Sequence, residues 1–225
     1  MNWERYYQEN NVRAFNEQRP YYAHVLQRFA PYLTHNLNPN EPIYTALGGL
    51  HPKVTRPEHF INLCQKVFES RQTFPHIFDQ NEEALENLTG DGYTAMRAQL
   101  ENLPENLPLL NLLVCDYTID FMSDAQIQKL NVTLPARLHP NGVLVLTLGD
   151  PLIPSIRKLQ TKIRYGVATY YRNARKIAQI LTNFKLVYLA ETDNGNQLAV
   201  FTHQKSPLKE HQGRPYGLSI EDLIQ

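Results

Sequence analysis

The chain lacks an excess of charge of either sign. Its 225 residues include 22 Lys or Arg and 22 Asp or Glu, so the formal net charge is zero. This balance gives no general support for binding to nucleic acid or to a membrane surface. Basic residues do cluster between Arg157 and Lys176. We interpret that cluster as a solvated helical face, with a local binding patch as the alternative.

Cysteine and long apolar runs are also scarce. Cys64 and Cys115 are the two cysteines, and their isolation indicates neither a disulfide scaffold nor a zinc site. No apolar run approaches the ~20 residues that a transmembrane helix needs. The residues after Met1 lack the apolar core of a signal peptide. We therefore expect a cytoplasmic protein with no membrane partner.

Several catalytic motifs are missing. The eight histidines show no metal-ligand spacing, so we expect no metal site. There is no Gly-x-Ser-x-Gly elbow, no P-loop and no Gly-x-Gly-x-x-Gly after a strand. These absences argue against a serine hydrolase with such an elbow. They also make a nucleotide-dependent Rossmann enzyme a weaker interpretation.

The most informative segment runs from residue 109 to residue 151 and is predicted to form strand, helix and strand. Residues 109–114 are a nearly continuous apolar run, typical of a strand covered on both faces. Ser123 is a good N-cap, and apolar residues then continue at helical spacing to Leu138. A second apolar run covers residues 142–148. Such a unit predicts a right-handed crossover within a parallel sheet.

This segment resembles the second half of a class I S-adenosylmethionine-dependent methyltransferase, and the likeness extends more weakly over most of the chain. The family's "L-x-P-G-G" before a strand stands here as L-H-P-N-G at residues 138–142, one glycine short. The hypothesis is supported by an independent feature, because Asn194-Gly195 predicts a tight turn between two antiparallel strands near the C-terminus.

The pattern and the resemblance together predict an α/β fold. We expect a doubly wound, mostly parallel sheet of seven strands, with helices on both faces and a C-terminal antiparallel hairpin. Residues 1–40 are predicted to form an aromatic-rich helical cap, residues 41–205 the Rossmann-like domain, and residues 206–225 a loosely held tail. In the family, such a helical cap often covers the cofactor and part of the acceptor pocket.

The resemblance implies S-adenosylmethionine as the cofactor. Its first contact region would be the turn after the first strand, where this chain has Thr45, Leu47, Gly48 and Gly49. The family has an acidic residue and a Gly-x-Gly loop there. Two glycines remain in this chain, and Thr45 is the nearest polar substitute for the acid.

The second and third strands would supply the other cofactor contacts. Asp79, followed by Gln80, closes the second strand, and in the family this carboxylate accepts hydrogen bonds from both ribose hydroxyls; a helix N-cap is the alternative role. Gln99 and Leu100 match the family's "D-x-x-x-L-P", in which the first residue faces the adenine amine and the next N–H binds the ring. The amide oxygen of Gln99 can still accept that hydrogen bond.

The fourth strand would carry the chemistry. Ligands of parallel sheets bind beyond the carboxyl ends of the strands, which places Asp116 and Tyr117 near the site. Asp116 is a candidate to orient or deprotonate the acceptor and to contact the cofactor, with a turn residue as the alternative. Tyr117, Tyr21 and Tyr170 are candidates to contact the substrate, with plain packing as the alternative.

The acceptor stays unnamed, and the balanced charge favours a small molecule over nucleic acid. A second hypothesis is a methyltransferase-like protein that has lost the cofactor and acts as a binding or scaffold partner. Thr45 and Gln99, which replace acidic residues, favour that hypothesis, whereas Asp79 and Gly48-Gly49 argue against it. A homo-oligomer stays open.

Overall fold

The computed structural model describes residues 15–35, 37–38, 40–49, 57–68, 71–86, 88, 93–152, 155–191, 195–208 and 211–212. The helices are α1 (Phe15–His35), α2 (Pro57–Val67), α3 (Glu82–Glu86), α4 (Asp124–Thr133), α5 (Ser155–Tyr165) and α6 (Ala174–Ile180). The strands are β1 (Ile43–Gly48), β2 (Thr73–Asp79), β3 (Thr94–Arg97), β4 (Leu110–Asp116), β5 (Leu138–Leu148), β6 (Phe184–Glu191), β7 (Gln197–His203) and β8 (His211–Gln212).

All these strands form one sheet, in the order β3-β2-β1-β4-β5-β7-β6-β8. The first five strands in this order run parallel, whereas β7 is antiparallel to both β5 and β6. The predicted α/β sheet with a C-terminal antiparallel hairpin is confirmed. The sequence analysis did not anticipate β8, two residues that pair in parallel with β6.

The central strand–helix–strand unit forms as predicted, with a shifted helix end. Ser123 accepts a hydrogen bond from the Gln126 N–H, and the Gln126 side chain accepts from the Ser123 N–H, which completes a capping box. The α-helix ends at Thr133, not at Leu138, and a 3-10 turn follows. Pro135 lies in this turn and has no N–H to continue the α-helical ladder. Leu138 instead begins β5 and pairs with Leu110.

Helices cover both faces of the sheet, as expected of a doubly wound fold. On one face, α1 and α2 pack on β1, β4 and β5 around residues such as Leu26, Phe60 and Leu112. On the other face, α4 and α6 cover the same strands around residues such as Ile127 and Ile177. β4 is buried along its entire length, which explains its nearly continuous apolar sequence.

Two helices, α5 and α6, lie between β5 and β6. Gly166 follows α5 with φ +67°, a left-handed conformation that ends helices and suits glycine. The segment from Val167 to Asn173 then returns the chain to the sheet, and Asn173 caps α6 by accepting from the Lys176 N–H at 2.8 Å. This break brings the segment before α6 beside the carboxyl end of the sheet.

The N-terminal helix α1 packs against the antiparallel side of the sheet. The Phe29 ring lies 6.2 Å from the Tyr188 ring, edge to face, and the Arg28 guanidinium lies 4.7 Å from the same ring. Tyr32 and Ser206 share a hydrogen bond of 2.8 Å between their hydroxyls. Across the described residues, no helix is both long enough and apolar enough to cross a membrane.

Candidate functional site

The carboxyl ends of five neighbouring strands meet on one side of the sheet. The register aligns Gly48 of β1 with Phe78 of β2 and with Cys115 of β4, and aligns Asp116 with Thr147 of β5. The sheet therefore brings together most of the predicted site residues: Gly48, Gly49, Asp79, Gln80, Gln99, Asp116 and Tyr117. Residues 50–56, which follow Gly49 in the sequence, lie outside the described residues.

The turn after β1 lies directly against the end of β4. Gly49 has φ +87°, and a Cβ at this position would lie 2.0 Å from the Asp116 carbonyl oxygen. At Gly48, a Cβ would lie 2.4 Å from the Phe78 ring. Glycine is thus required at both positions, because other atoms of the protein approach the backbone closely there. A side chain at either position would therefore collide with the protein itself, at the Phe78 ring or at the end of β4.

Two other predicted residues of β1 point into the core. Leu47 is fully buried in the core beneath α1 and α2. Thr45 is also fully buried, and its hydroxyl contacts the Cys64 thiol of α2. The structure therefore places the Thr45 side chain in the core and not beside the Gly48-Gly49 turn. Ala46, which follows Thr45, belongs to the opposite core.

Asp79 is half-buried at the end of β2, and its carboxylate is fixed. Oδ1 accepts a hydrogen bond of 2.7 Å from the Asn81 N–H, and the Asp79 carbonyl accepts from the Ala98 N–H. The carboxylate therefore orders the turn that precedes α3. This role is close to that of a helix N-cap, the alternative role for Asp79. A fixed carboxylate beyond a parallel strand also suits a ribose diol.

Gln80 and Gln99 are exposed and adjacent across the ends of β2 and β3. Gln99 Nε2 lies 3.5 Å from Gln80 Oε1, and Gln99 Oε1 accepts from Asn102 Nδ2 at 3.3 Å. Leu100 begins a 3-10 turn with its side chain buried. Its backbone, not its side chain, would thus be the part available to a ligand. This polar surface fits the polar positions of an adenine ring.

Asp116 and Tyr117 occupy the end of β4 as predicted. Asp116 is 5% exposed. Tyr117 has φ +53°, which is unusual for a bulky residue, and strain of this kind often marks a functional position. Asn196 Nδ2 donates to the Tyr117 hydroxyl at 2.9 Å, so the segment after the β6–β7 turn holds this ring. Tyr117 is therefore positioned by tertiary contacts.

A further acid, Asp120, lies beside these residues and was missed by the sequence analysis. Its side chain is 1% exposed, and Oδ2 accepts from the Gly149 N–H at 2.6 Å, whereas Oδ1 has no hydrogen-bond partner among the described residues. Burial raises the pKa of the Asp120 carboxyl to about 7, an effect that the Gly149 hydrogen bond and Arg172 oppose. The spacing D-Y-T-I-D in an otherwise apolar stretch was the available signal.

The segment before α6 lies over these acids. The Tyr170 N–H donates to the Asp120 carbonyl at 2.7 Å, and the Tyr171 ring packs on Gly149. Arg172 lies 4.9 Å from the Tyr170 ring and binds the Asp124 carboxylate at 2.6 Å. Tyr170 is 38% exposed and so can contact a ligand. The Tyr21 side chain lies outside the described residues, and its predicted role stays a prediction.

Neither cysteine has the environment of a nucleophile. Both are buried, and burial raises the pKa of the Cys64 thiol to about 12 and that of Cys115 further. The described residues also contain no cluster of three or more potential metal ligands. The arrangement therefore suits acid–base chemistry by Asp116 and Asp120, not thiol chemistry.

A groove of about 560 Å³ lies far from these acids, between α1 and α2. Its Arg71 side chain donates to the carbonyls at the end of α1, including Thr34 and Leu37. These contacts cap the C-terminal end of α1, so Arg71 has a structural role there. The chemistry-bearing groups therefore converge at the carboxyl ends of the strands.

Neither a protein-family model nor a curated protein sequence matches this chain. Solved structures do resemble it. A complex of LepI with SAM has a TM-score of 0.56 and 14% identity, and the match covers 77% of this chain but 46% of LepI. This chain thus spans about half the length of LepI.

Two other similar structures match over nearly their full lengths. The S-adenosylmethionine-dependent methyltransferase from Mesorhizobium loti has a TM-score of 0.54 and 16% identity over 77% of this chain and 97% of that one. Magnesium protoporphyrin IX methyltransferase from Synechocystis PCC 6803 with bound SAH has a TM-score of 0.54 and 14% identity over 90% and 93%. At such low identity the likeness establishes the fold alone. The chain has the class I methyltransferase fold, as its sequence predicted.

Proposed function

We propose that this protein is an S-adenosylmethionine-dependent methyltransferase that acts on a small-molecule acceptor. The observation that carries the proposal is the convergence of the Gly48-Gly49 turn, the Asp79 carboxylate and the Asp116–Asp120 acid pair on one side of the sheet. The first two suit a nucleoside and the third suits an acceptor. Similar folds bind SAM or SAH in LepI and in the magnesium protoporphyrin IX enzyme, which supports the same cofactor here.

The residues present fit the cofactor. The close approach of Gly49 to β4 leaves backbone, not side chains, along the turn after β1. Asp79 would accept hydrogen bonds from the ribose hydroxyls, while Gln80 and Gln99 would bind the adenine through their amide groups. When bound, S-adenosylmethionine supplies an electrophilic methyl group on a sulfonium.

The chain's own contribution to catalysis would be positioning and proton removal. Methyl transfer needs the acceptor atom in line with the methyl group, so much of the rate enhancement comes from orientation. Tyr117, held by Asn196, and the exposed Tyr170 would orient the acceptor. Asp116 would take the proton from an oxygen or nitrogen acceptor. Asp120, whose pKa is near 7, would share that proton.

Calorimetric titration with S-adenosylmethionine and S-adenosylhomocysteine tests the proposed cofactor. We expect both molecules to bind with micromolar affinity. Turnover of candidate acceptors would then be measured as release of S-adenosylhomocysteine. The alternative, a cofactor-free binding or scaffold protein, is favoured by one observation: Thr45 lies in the core and leaves the usual acidic position without a carboxylate. Absence of binding at millimolar ligand, from folded protein, would support that alternative.

Asp79→Ala is expected to weaken binding of S-adenosylmethionine by about 1–3 kcal/mol, the range for a lost hydrogen bond to a charged group. Asp79→Asn separates the two roles of this residue, since its amide oxygen can still accept from the Asn81 N–H and order the turn. Glu82→Ala is the matched control, because it removes an exposed carboxylate from the next helix. Calorimetry on all three variants gives the affinities. Unchanged affinity in Asp79→Ala would remove Asp79 from the site.

Asp116→Asn is expected to lower turnover by roughly two to four orders of magnitude, the usual contribution of a general base, while cofactor affinity stays nearly constant. The reason is that an amide cannot accept the proton from the acceptor. Release of S-adenosylhomocysteine measures turnover, and calorimetry measures affinity. A parallel loss of both would assign Asp116 a structural role at the end of β4.

A further inference from the structure

Helix α5 carries a row of apolar side chains that face away from the protein. Ile156, Leu159 and Ile163 are 65%, 55% and 76% exposed, and Leu152, just before the helix, is 85% exposed. None of the four belongs to either hydrophobic core. Apolar residues of a surface helix normally face the core, so this orientation needs an explanation. We call these four residues the α5 stripe.

The stripe is continuous along the helix. At about 100° of rotation per residue, Ile156, Leu159 and Ile163 fall within roughly 60° of one another. Thr161 and Tyr165 project to the opposite side, and Tyr165 is buried while Thr161 is half-buried. The helix therefore rests on the protein through Tyr165 and presents its apolar side directly outward. Nothing among the described residues covers that side.

Basic residues border the stripe. The helix sequence SIRKLQTKIRY contains Arg157, Lys158, Lys162 and Arg164 and no acidic residue. By the same rotation, Lys162 lies on one side of the stripe and Arg164 on the other, and both are exposed. The whole chain has no net charge, so the positive charge of this helix is a local feature. An outward apolar stripe with cations on both sides is the pattern of a helix that lies in a membrane interface.

We propose that α5 docks this protein on the surface of an anionic lipid bilayer. The apolar stripe would enter the region between headgroups and acyl chains, while Lys162 and Arg164 would bind the lipid headgroups. The charge argues against a second copy of the chain as the occupant, since a two-fold contact would bring two helices of the same positive charge together. The local positive charge requires a negatively charged partner.

This docking mode would place the carboxyl end of the sheet next to the bilayer. The Lys158 ammonium, at the protein-facing side of α5, lies 5.7 Å from the Tyr171 ring, and that ring packs on Gly149 at the end of β5. The same helix therefore connects the stripe with the segment over Asp120. For the part of residues 157–176 that belongs to α5, docking on a bilayer would replace the interpretation as a purely solvated face.

Sedimentation with vesicles tests the proposal. The full-length protein should bind vesicles of equal parts phosphatidylcholine and phosphatidylglycerol, should bind pure phosphatidylcholine at least tenfold more weakly, and should lose binding as salt rises. Leu159→Glu should reduce binding to anionic vesicles by more than tenfold, and Lys162→Gln by about fivefold. Val132→Glu, on α4, is the matched control, since Val132 is an apolar side chain that is 77% exposed and lies outside the α5 stripe. It should leave binding unchanged.

Three outcomes would overturn the proposal. The first is no binding to anionic vesicles. The second is binding that Leu159→Glu and Val132→Glu reduce equally, because the stripe would then have no special role. The third is a protein that does not bind vesicles but forms a dimer in analytical ultracentrifugation, and whose dimer Leu159→Glu dissociates. That result would assign the stripe to contact with a second copy of the chain. Circular dichroism of each variant tests whether it is folded. We expect every variant to fold, because the substituted side chains are exposed.

Discussion

Gly49→Ala is expected to destabilise the protein by about 3–5 kcal/mol, in the upper range for single substitutions. Two costs combine. Alanine at φ +87° is strained by about 1–2 kcal/mol. Its Cβ would also lie 2.0 Å from the Asp116 carbonyl oxygen, so the turn after β1 or the end of β4 must move. Urea denaturation followed by circular dichroism measures the change.

Gly166→Ala is the control that separates the two costs. Gly166 also has positive φ, +67°, but it is exposed at the end of α5. We expect it to cost about 1 kcal/mol through backbone strain alone. The difference between the two variants then measures the packing of the turn on β4. Equal losses would show that Gly49 is required for its backbone conformation and not for close approach.

Asp120→Asn is expected to abolish the pH dependence of stability that Asp120 imposes. The carboxyl has an unfolded-state pKa of 3.8 and a folded-state pKa of about 7, because burial disfavours its charged form. Its stabilising contribution is therefore complete below pH 3.8 and is lost as the pH rises to about 7. The span is 7 minus 3.8, or about 3 pH units, which corresponds to about 4 kcal/mol.

The variant should avoid this loss. Asparagine can still accept from the Gly149 N–H but cannot ionise, so the difference in unfolding free energy, variant minus wild type, should grow by about 4 kcal/mol between pH 4 and pH 8. Burial lowers the pKa of His76, but that effect is common to both proteins and cancels. Urea titrations across this pH range give the comparison. Glu105→Gln, at an exposed position, controls for the change in net charge. Parallel curves for wild type and Asp120→Asn would show that Asp120 does not titrate in this range.

The fold was predictable where local chemistry and burial agree. β4 is buried on both faces and has a nearly continuous apolar sequence, and the N-cap residue Ser123 marks the start of α4 in the sequence. The Asn-Gly pair at residues 194–195 predicted the turn before β7, and Gly195 has the positive φ, +75°, that such a turn requires. Such features depend on neighbours in the chain, so one sequence is enough to reveal them.

The site was less predictable because its contacts join distant segments. Burial raises the pKa of Asp120, and the residues that bind Asp120 in this buried position, Gly149 and Tyr170, are distant from it in the sequence. Thr45 is buried because α2, with Cys64, packs over its face of β1. The two-residue β8 has no pattern of its own and forms only because β6 offers it hydrogen-bonding partners. The α5 stripe has normal helical periodicity, and only the exposure of its side chains shows that it faces away from the core.

The sheet is terminated on both sides by very short strands. β3 has four residues, one of which, Arg97, pairs with Glu82 at 2.9 Å, and β8 has two. Open strand margins expose unpaired N–H and C=O groups that can recruit another chain into intermolecular β-structure. β8 pairs with only Tyr188 and Leu189 of the eight-residue β6, so most of that margin of β6 has no strand partner among the described residues. The four-residue β3 and the two-residue β8 themselves offer little length for such pairing.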